Sequence, residues 1–296
     1  MTTFVLLTLT GLALAAMYFL LAAGLALIFG LMDVLNFAHG AFFTWGAYSA
    51  WWTVDRFTAD GSQEGSTGGF LLGVLVAPIV GALLAVLVEV VLLRPLYKRP
   101  IYQVLVTLGA GLMLTQLTSV IWRPDARYFP QPGWLADTST VLGARVPNNR
   151  FLLIAAALLV LGGMLLFLKR TRYGLVVRAG AENREMVRAL GIDVDRAFTL
   201  VFALGGALAG LGGAFGAAYF GSVEPTFGSV NLIFAFIVVV IGGLGSVTGS
   251  ALAAVIIGLA QQFGNYYTTW AGDFVVVLLL AAVLLLRPGG LLGDRT

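Results

Sequence analysis

Cysteine is absent from the sequence, and histidine occurs once, as His39. The first absence excludes disulfides, thiol catalysis and thiolate metal sites, and says nothing of redox compartment. The second leaves too few imidazoles for a histidine-based metal centre. Charge is also scarce: 10% of the 296 residues are charged, against about 25% in a typical soluble domain. Lysine occurs only at Lys98 and Lys169, and neither follows a glycine-rich G-x-x-x-x-G-K-[ST] loop. An ATP site, if one drives this protein, belongs on another chain. No catalytic residue, metal or cofactor is expected, and the mild basic excess reads as a topology signal with no nucleic-acid partner.

What the sequence has in quantity is apolar length. Hydrophobic residues make up 59% of the chain. Apolar runs fall at about 4–29, 36–54, 70–93, 101–121, 151–168, 197–220, 231–244, 249–264 and 273–287. A helix needs about 20 apolar residues to cross a bilayer, whereas barrel strands alternate over about 10. Backbone groups in lipid must be satisfied within their own segment. The expectation is an all-α polytopic membrane protein of about eight to nine crossings, some broken or short, forming one domain over 1–296. The run 231–244 is short and is followed by Gly242-Gly243-Leu244-Gly245-Ser246, so 231–264 is either two tilted spans or a re-entrant pair. Residues 4–31 are too long for a signal-peptide core and lack a preceding basic residue, so they read as the first span.

Loop charge sets an orientation. The 94–100 connector, the 169–196 connector and the C-terminal tail hold twelve of the seventeen basic residues, which makes that side cytoplasmic by the positive-inside rule. With nine crossings the N-terminus faces outward and the C-terminus inward, in a bacterial inner membrane. On the outer side, 60–69 is a flexible polar link. Residues 122–150 carry Pro124, Pro130, Pro132 and Pro147 and form a lip or a small surface helix. Gly206-xxx-Gly210, Gly212-xxx-Gly216 and Gly245-xxx-Gly249 mark close helix packing, expected within the chain, with a subunit interface as the alternative.

The most charged island is 178–192. Glu182 and Glu185 suit the first turn of a helix over about 182–190, Arg188 suits its end, and Gly191 supplies the stop. Met186, Val187 and Leu190 share one face. A short amphipathic helix on the cytoplasmic surface follows, either with a partner or simply solvated.

Those residues carry a resemblance. Arg178-Ala179-Gly180-Ala181-Glu182-Asn183, Ala189-Leu190-Gly191-Ile192 and the run 202–210 resemble the cytoplasmic loop of ABC importer permeases, most closely the branched-chain amino-acid permease family of the LivH type. Three further blocks agree in family order: 24–30 with Asn36-Phe37-Ala38-His39-Gly40 and Gly46-Ala47-Tyr48, 242–249, and the tail 287–293. The resemblance implies a permease that pairs with a second permease of the family. Two cytoplasmic ATP-binding subunits would sit beneath and an external substrate-binding protein above. It implies that Glu182, Asn183, Arg184, Glu185, Met186, Val187, Arg188, Leu190 and Gly191 form the coupling helix. In that helix Arg184 and Arg188 would meet polar groups of the ATPase, and Met186, Val187 and Leu190 would fill its groove.

The second polar region is 33–46. Asp33, Asn36 and His39 lie between or inside two apolar runs, with Gly30, Gly40 and Gly46 able to break the helix. Polar groups at membrane depth usually face a pathway, and broken helices recur at transporter sites. Asp33, Asn36, Phe37, His39 and Gly40 are therefore candidate pathway residues. So are Gln103 and Thr107 on a later helix, which also suit a helix-to-helix hydrogen bond. The alternative for 33–39 is a short cytoplasmic turn with Asn36 as a cap. Glu89 is expected to snorkel or pair with a neighbouring helix, and Glu224 and Asn231 are expected near the external surface.

The function expected is that of the permease subunit of an ATP-driven importer of branched-chain or other hydrophobic amino acids. Urea, short amides and other small polar solutes are alternative substrates. The rival from another class is an ion-coupled secondary transporter or channel using Asp33, Glu89 and His39, disfavoured because its carboxylates are few and peripheral.

Overall fold

The computed structural model describes the chain except residues 59–61, 63, 98, 183, 190, 192, 269 and 294–296, and describes only the backbone at 181, 182, 184, 185 and 188. In chain order the helices are α1 (Thr2–Met32), α2 (His39–Phe57), α3 (Thr67–Val88), α4 (Pro100–Trp122), α5 (Gly133–Ala136), α6 (Asn148–Arg170), α7 (Arg172–Glu182), α8 (Arg184–Ala189), α9 (Val194–Phe220), α10 (Phe227–Gly242), α11 (Val247–Tyr267) and α12 (Ala271–Leu286). Each of the nine apolar runs becomes one long helix. Six of these are long and apolar enough to cross a membrane unaided, while α10 and α12 have 16 residues each. The remaining one, α2, carries Asp55 and Arg56 in its last turn and starts well inside the bundle, as described below.

Glycine decides which helices are central. α9 packs against α1, α2 and α3. A Cβ on Gly206 would overlap the Gly81 carbonyl and the Ala85 side chain of α3, and one on Gly210 would overlap the Ala77 carbonyl. These backbones touch, which is how small residues hold membrane helices together. The Gly-xxx-Gly pairs thus pack within the chain, as expected. By contrast, α4, α6 and α12 expose leucines such as Leu105, Leu112, Leu159 and Leu285. Lipid tails are as apolar as leucine, so such faces need no cover inside the chain.

The connectors gather at two ends. At the basic end lie the 94–99 and 171–193 connectors, the α10–α11 turn and the tail. There Gly243 (φ 103°) and Gly245 (φ 83°) turn the chain, and Ser246 Oγ caps Gly249 N at 3.0 Å. The tail folds back so that Leu291 N and Leu292 N donate to the Ile241 and Gly242 carbonyls at 2.8 and 3.1 Å. Those carbonyls are among the four that a helix end leaves unsatisfied. The segment 231–264 is therefore two antiparallel helices joined by a tight turn.

At the other end, the lip, residues 122–150 form more than the expected surface helix. β1 (Arg127–Tyr128) pairs with β4 (Ser222–Val223), and β2 (Thr138–Val141) pairs with β3 (Ala144–Pro147) in a hairpin, with α5 between them. The all-helical architecture thus carries two small antiparallel sheets on its rim. Glu224 is exposed there, but Asn231 is buried and donates to the Phe227 carbonyl at 2.7 Å, so it does not face outward.

Candidate translocation and coupling sites

Between α1 and α2 the chain leaves helical geometry for six residues. Asp33 stops α1 in the left-handed region (φ 56°) with its N–H on the Phe29 carbonyl at 2.8 Å. Yet α2 does not start at that end of the bundle. The His39 Nε2–H donates to the Leu21 carbonyl at 3.1 Å. Leu21 lies eleven residues before Met32, about 16 Å back along the helix at 1.5 Å per residue. Residues 33–38 therefore re-enter the bundle as a non-helical link that ends in a turn at Phe37-Ala38, and α2 begins at depth. A Cβ on Gly40 would overlap the Gly228 carbonyl, so the first turn of α2 is pressed against α10.

Burial alternates from residue to residue along the link. Val34, Asn36 and Ala38 are buried; Asp33 is exposed, and Leu35 and Phe37 are half-buried. Asn36 Oδ1 accepts the Ala38 N–H at 3.1 Å and its carbonyl accepts the His39 N–H at 3.3 Å. Asn36 thus shapes the approach to α2 inside the bundle, but the cap residue is Ala38, not Asn36 as the capping alternative had it. Among the described residues, Asn36 Nδ2 and His39 Nδ1 are buried without a hydrogen-bond partner.

Of the other candidates, Thr107 lies against the link and Gln103 is bonded to the α3–α4 connector. Gln103 Nε2 donates to the Leu96 carbonyl at 2.7 Å, and Thr107 Oγ1 donates to Val104 at 3.0 Å and reaches Leu35 O at 3.5 Å. Gly111, one turn further on, backs onto Phe37 and Ala38. The link's outward row is Asp33, Leu35 and Phe37. Leu35 escaped sequence reading because an apolar residue between apolar runs has no chemical signature; the period-2 exposure is what singles it out.

At the basic end the helix expected over about 182–190 is α8 (Arg184–Ala189), and a separate helix, α7, precedes it. The Thr171 hydroxyl caps Gly174 N at 2.9 Å and opens α7 ten residues upstream. Gly174, Val177 and Gly180 form the buried face of α7, with Gly180 against Leu31 of α1. α8 follows, and Gly191 (φ 78°) ends it as expected. Met186 is 61% exposed whereas Val187 is 3% exposed. Val187 therefore anchors the helix to its own chain and does not share Met186's outward face. Asn183 and Leu190 lie outside the described residues, as do the side chains of Glu182, Arg184, Glu185 and Arg188. After the turn, Asp193 Oδ1 caps α9 by accepting Arg196 N at 3.1 Å.

A re-entrant link at depth, a surface helix at the basic end and one glycine-lined helix joining them describe a transport subunit. Residues 7–286 match the family described as "Branched-chain amino acid transport system / permease component". The chain belongs to this family. It is 29% identical to the high-affinity branched-chain amino acid transport system permease protein BraD of Pseudomonas aeruginosa, over 96% of this chain and 94% of that one. It is 27% identical to LivH of Escherichia coli, over 96% and 93%, and 29% identical to LivM of Salmonella typhimurium, over 93% and 67%. The solved structure of PsaBC from Streptococcus pneumoniae in complex with Fab matches with a TM-score of 0.50 at 13% identity, over 94% of this chain and 89% of that one. That likeness concerns the fold alone. The chain is a multi-pass membrane protein and an ABC-type permease subunit.

Proposed function

We propose that this permease carries branched-chain or other hydrophobic amino acids inward by alternating access, driven by ATP hydrolysed on partner chains. The substrate class is supported by the names of BraD and LivH, and a second permease by the presence of LivM among the relatives. Two ATP-binding subunits sit at the basic end, which is cytoplasmic by its arginines, and an external binding protein meets the lip. The membrane is the bacterial inner membrane.

One observation carries the mechanism. α9 begins four residues after α8 and runs in backbone contact with α2 and α3. α2 in turn begins at the re-entrant link. A push on α8 therefore reaches the link through one helix whose glycines leave no slack. The link's outward row, Asp33, Leu35 and Phe37, lines the pathway. Asn36, His39, Gly40, Gln103 and Thr107 hold the row in place. When the link shifts, Asn36 Nδ2 offers a donor and, in the neutral ring, His39 Nδ1 an acceptor to an amino-acid zwitterion.

The test is a detergent pull-down of the whole complex carrying Met186→Glu. A charge on this exposed face is expected to release the ATP-binding subunits while the second permease stays bound. If both ATP-binding subunits remain and uptake is unchanged, α8 is not the coupling helix.

A further inference from the structure

Below α3 the chain does something a membrane helix rarely does. Residues Glu89–Leu93 form a π-helical turn, closed by the Arg94 N–H on the Glu89 carbonyl. The cause is Pro95, which lacks an N–H and whose ring would strike the carbonyl four residues back in a regular helix. Widening the turn removes that clash, and Arg94–Leu96 continue as a 3-10 turn. Single π turns of this kind concentrate at functional sites.

The widened turn buries Glu89 completely, with side-chain exposure of 0%. Its carboxylate gathers three partners. The Tyr97 hydroxyl donates to Oε1, the Thr199 hydroxyl donates to Oε2 at 2.8 Å, and Arg94 Nε stands 3.6 Å from Oε1. Arg94 also donates to Thr199 Oγ1 at 2.9 Å, which closes a ring of contacts. Tyr97 packs edge-on against Phe198, the residue before Thr199. Thr199 lies in the second turn of α9, just past the Asp193 cap that follows α8. Leu96, on the other side of the knot, accepts the Gln103 hydrogen bond that fixes the start of α4. α4 then backs the link through Thr107 and Gly111.

We propose that Glu89 is a positioning residue for transport: it ties the α3–α4 connector to α9, so that α4 and the back wall of the link follow the coupling helix. α9 reaches the front of the link through α2, and the Glu89 knot reaches its back through α4. With the knot tied, both walls shift together. With it loosened, α9 moves while α4 lags, and ATP is hydrolysed without productive opening. A carboxylate suits this task because it accepts from several donors at once and exchanges them without breaking the backbone. This inference rests on α8 being the coupling helix.

The experiment measures uptake and ATP hydrolysis together in vesicles holding the whole complex. Glu89→Gln and Thr199→Val are expected to keep their ATP-binding subunits and hydrolysis rate while uptake per ATP falls about fivefold. Thr199→Ser, which restores the hydroxyl, is expected to return the parent ratio. The double variant is expected to be no worse than the more severe single one, because both cut the same tie. If Glu89→Gln fails to assemble, Thr199→Val and Tyr97→Phe decide the matter, each removing one hydroxyl and little volume. An unchanged ratio in the assembled variants overturns the proposal, as does a parallel fall of hydrolysis and uptake. Failure of the underlying reading looks different: there Met186→Glu leaves the ATP-binding subunits in place.

Discussion

The two ends of α9 are held in opposite ways. At the lip the helix is capped by groups aimed at its last carbonyls. Gln131 Nε2 and Asn149 Nδ2 both donate to Ala218 O, at 2.8 and 2.9 Å, and Arg150 donates to Tyr219 O at 3.0 Å with its guanidinium 3.5 Å from the Tyr219 ring centroid. Phe129 N closes on Gly221 O at 3.0 Å, and β1 pairs with β4 just beyond. These are the carbonyls a helix C-terminus leaves open, and a cation there also complements the helix dipole. At the basic end Asp193 caps the first turn, and Glu89 ties the helix to the α3–α4 connector through side chains. Backbone carbonyls cannot change place without unwinding the helix; hydroxyls and a guanidinium around a carboxylate can. The lip end is built as a fixed cap and the basic end as a joint.

The largest effect comes from breaking the helix that both ends share. Gly206→Leu would drive a side chain into Gly81 and Ala85 of α3 and force the two helices apart. Loss of the folded permease from membrane fractions is expected, read as disappearance of the monodisperse peak in size-exclusion of a fluorescent fusion. Gly162→Leu on α6, where an added Cβ meets nothing within 4 Å, is expected to leave that peak unchanged.

The next comparison sets the cap against the joint. Arg150→Ala removes a charged hydrogen bond and the contact with Tyr219, a loss of about 1.5–3 kcal/mol for a hydrogen bond to a charged group. A thermal midpoint lowered by several degrees is expected, with uptake per ATP unchanged. Thr199→Val also removes a hydrogen bond to a charged group and is expected to lower the midpoint as well, so the ratio separates the two: it falls for Thr199→Val and holds for Arg150→Ala. A fall in uptake per ATP for Arg150→Ala would mean that the lip is a second joint.

Much of this was legible in the sequence because membrane helices announce themselves by apolar length, and bilayer physics permits few alternatives. The nine runs became nine helices, and the 94–99 and 171–193 connectors lie at one end. Gly191 ended α8 and the Gly206-xxx-Gly210 pair packed within the chain, since both follow from local sterics. The start of α7 was missed because its opening device is a single Thr171 hydroxyl, and threonines are common elsewhere in the chain. The re-entrant link was foreseen as a break, but its alternating burial depends on packing that an apolar string such as Val34-Leu35 does not declare. The Glu89 knot was half visible: a buried acid needs a partner, but Thr199 is 110 residues away and only the fold brings it near.

The smallest effect concerns the hairpin at the tip of the lip. The two-residue turn between β2 and β3 places Leu142 (φ 49°) and Gly143 (φ 83°) in the left-handed region, the geometry that Asn-Gly fills best. Leucine there costs about 1 kcal/mol through its Cβ, and the side chain is 81% exposed on this chain. With nothing gained from burial, Leu142→Asn is expected to raise the thermal midpoint of the purified complex by a degree or two. Thermal unfolding followed in detergent and again in lipid nanodiscs checks this. A rise in both sharpens the picture of the lip as a passive cap. A fall in either means that the strained leucine rests on something outside this chain, a subunit if the fall is seen in both media and a lipid surface if it is seen only in nanodiscs. The lip would then hold α9 and also read what arrives above it.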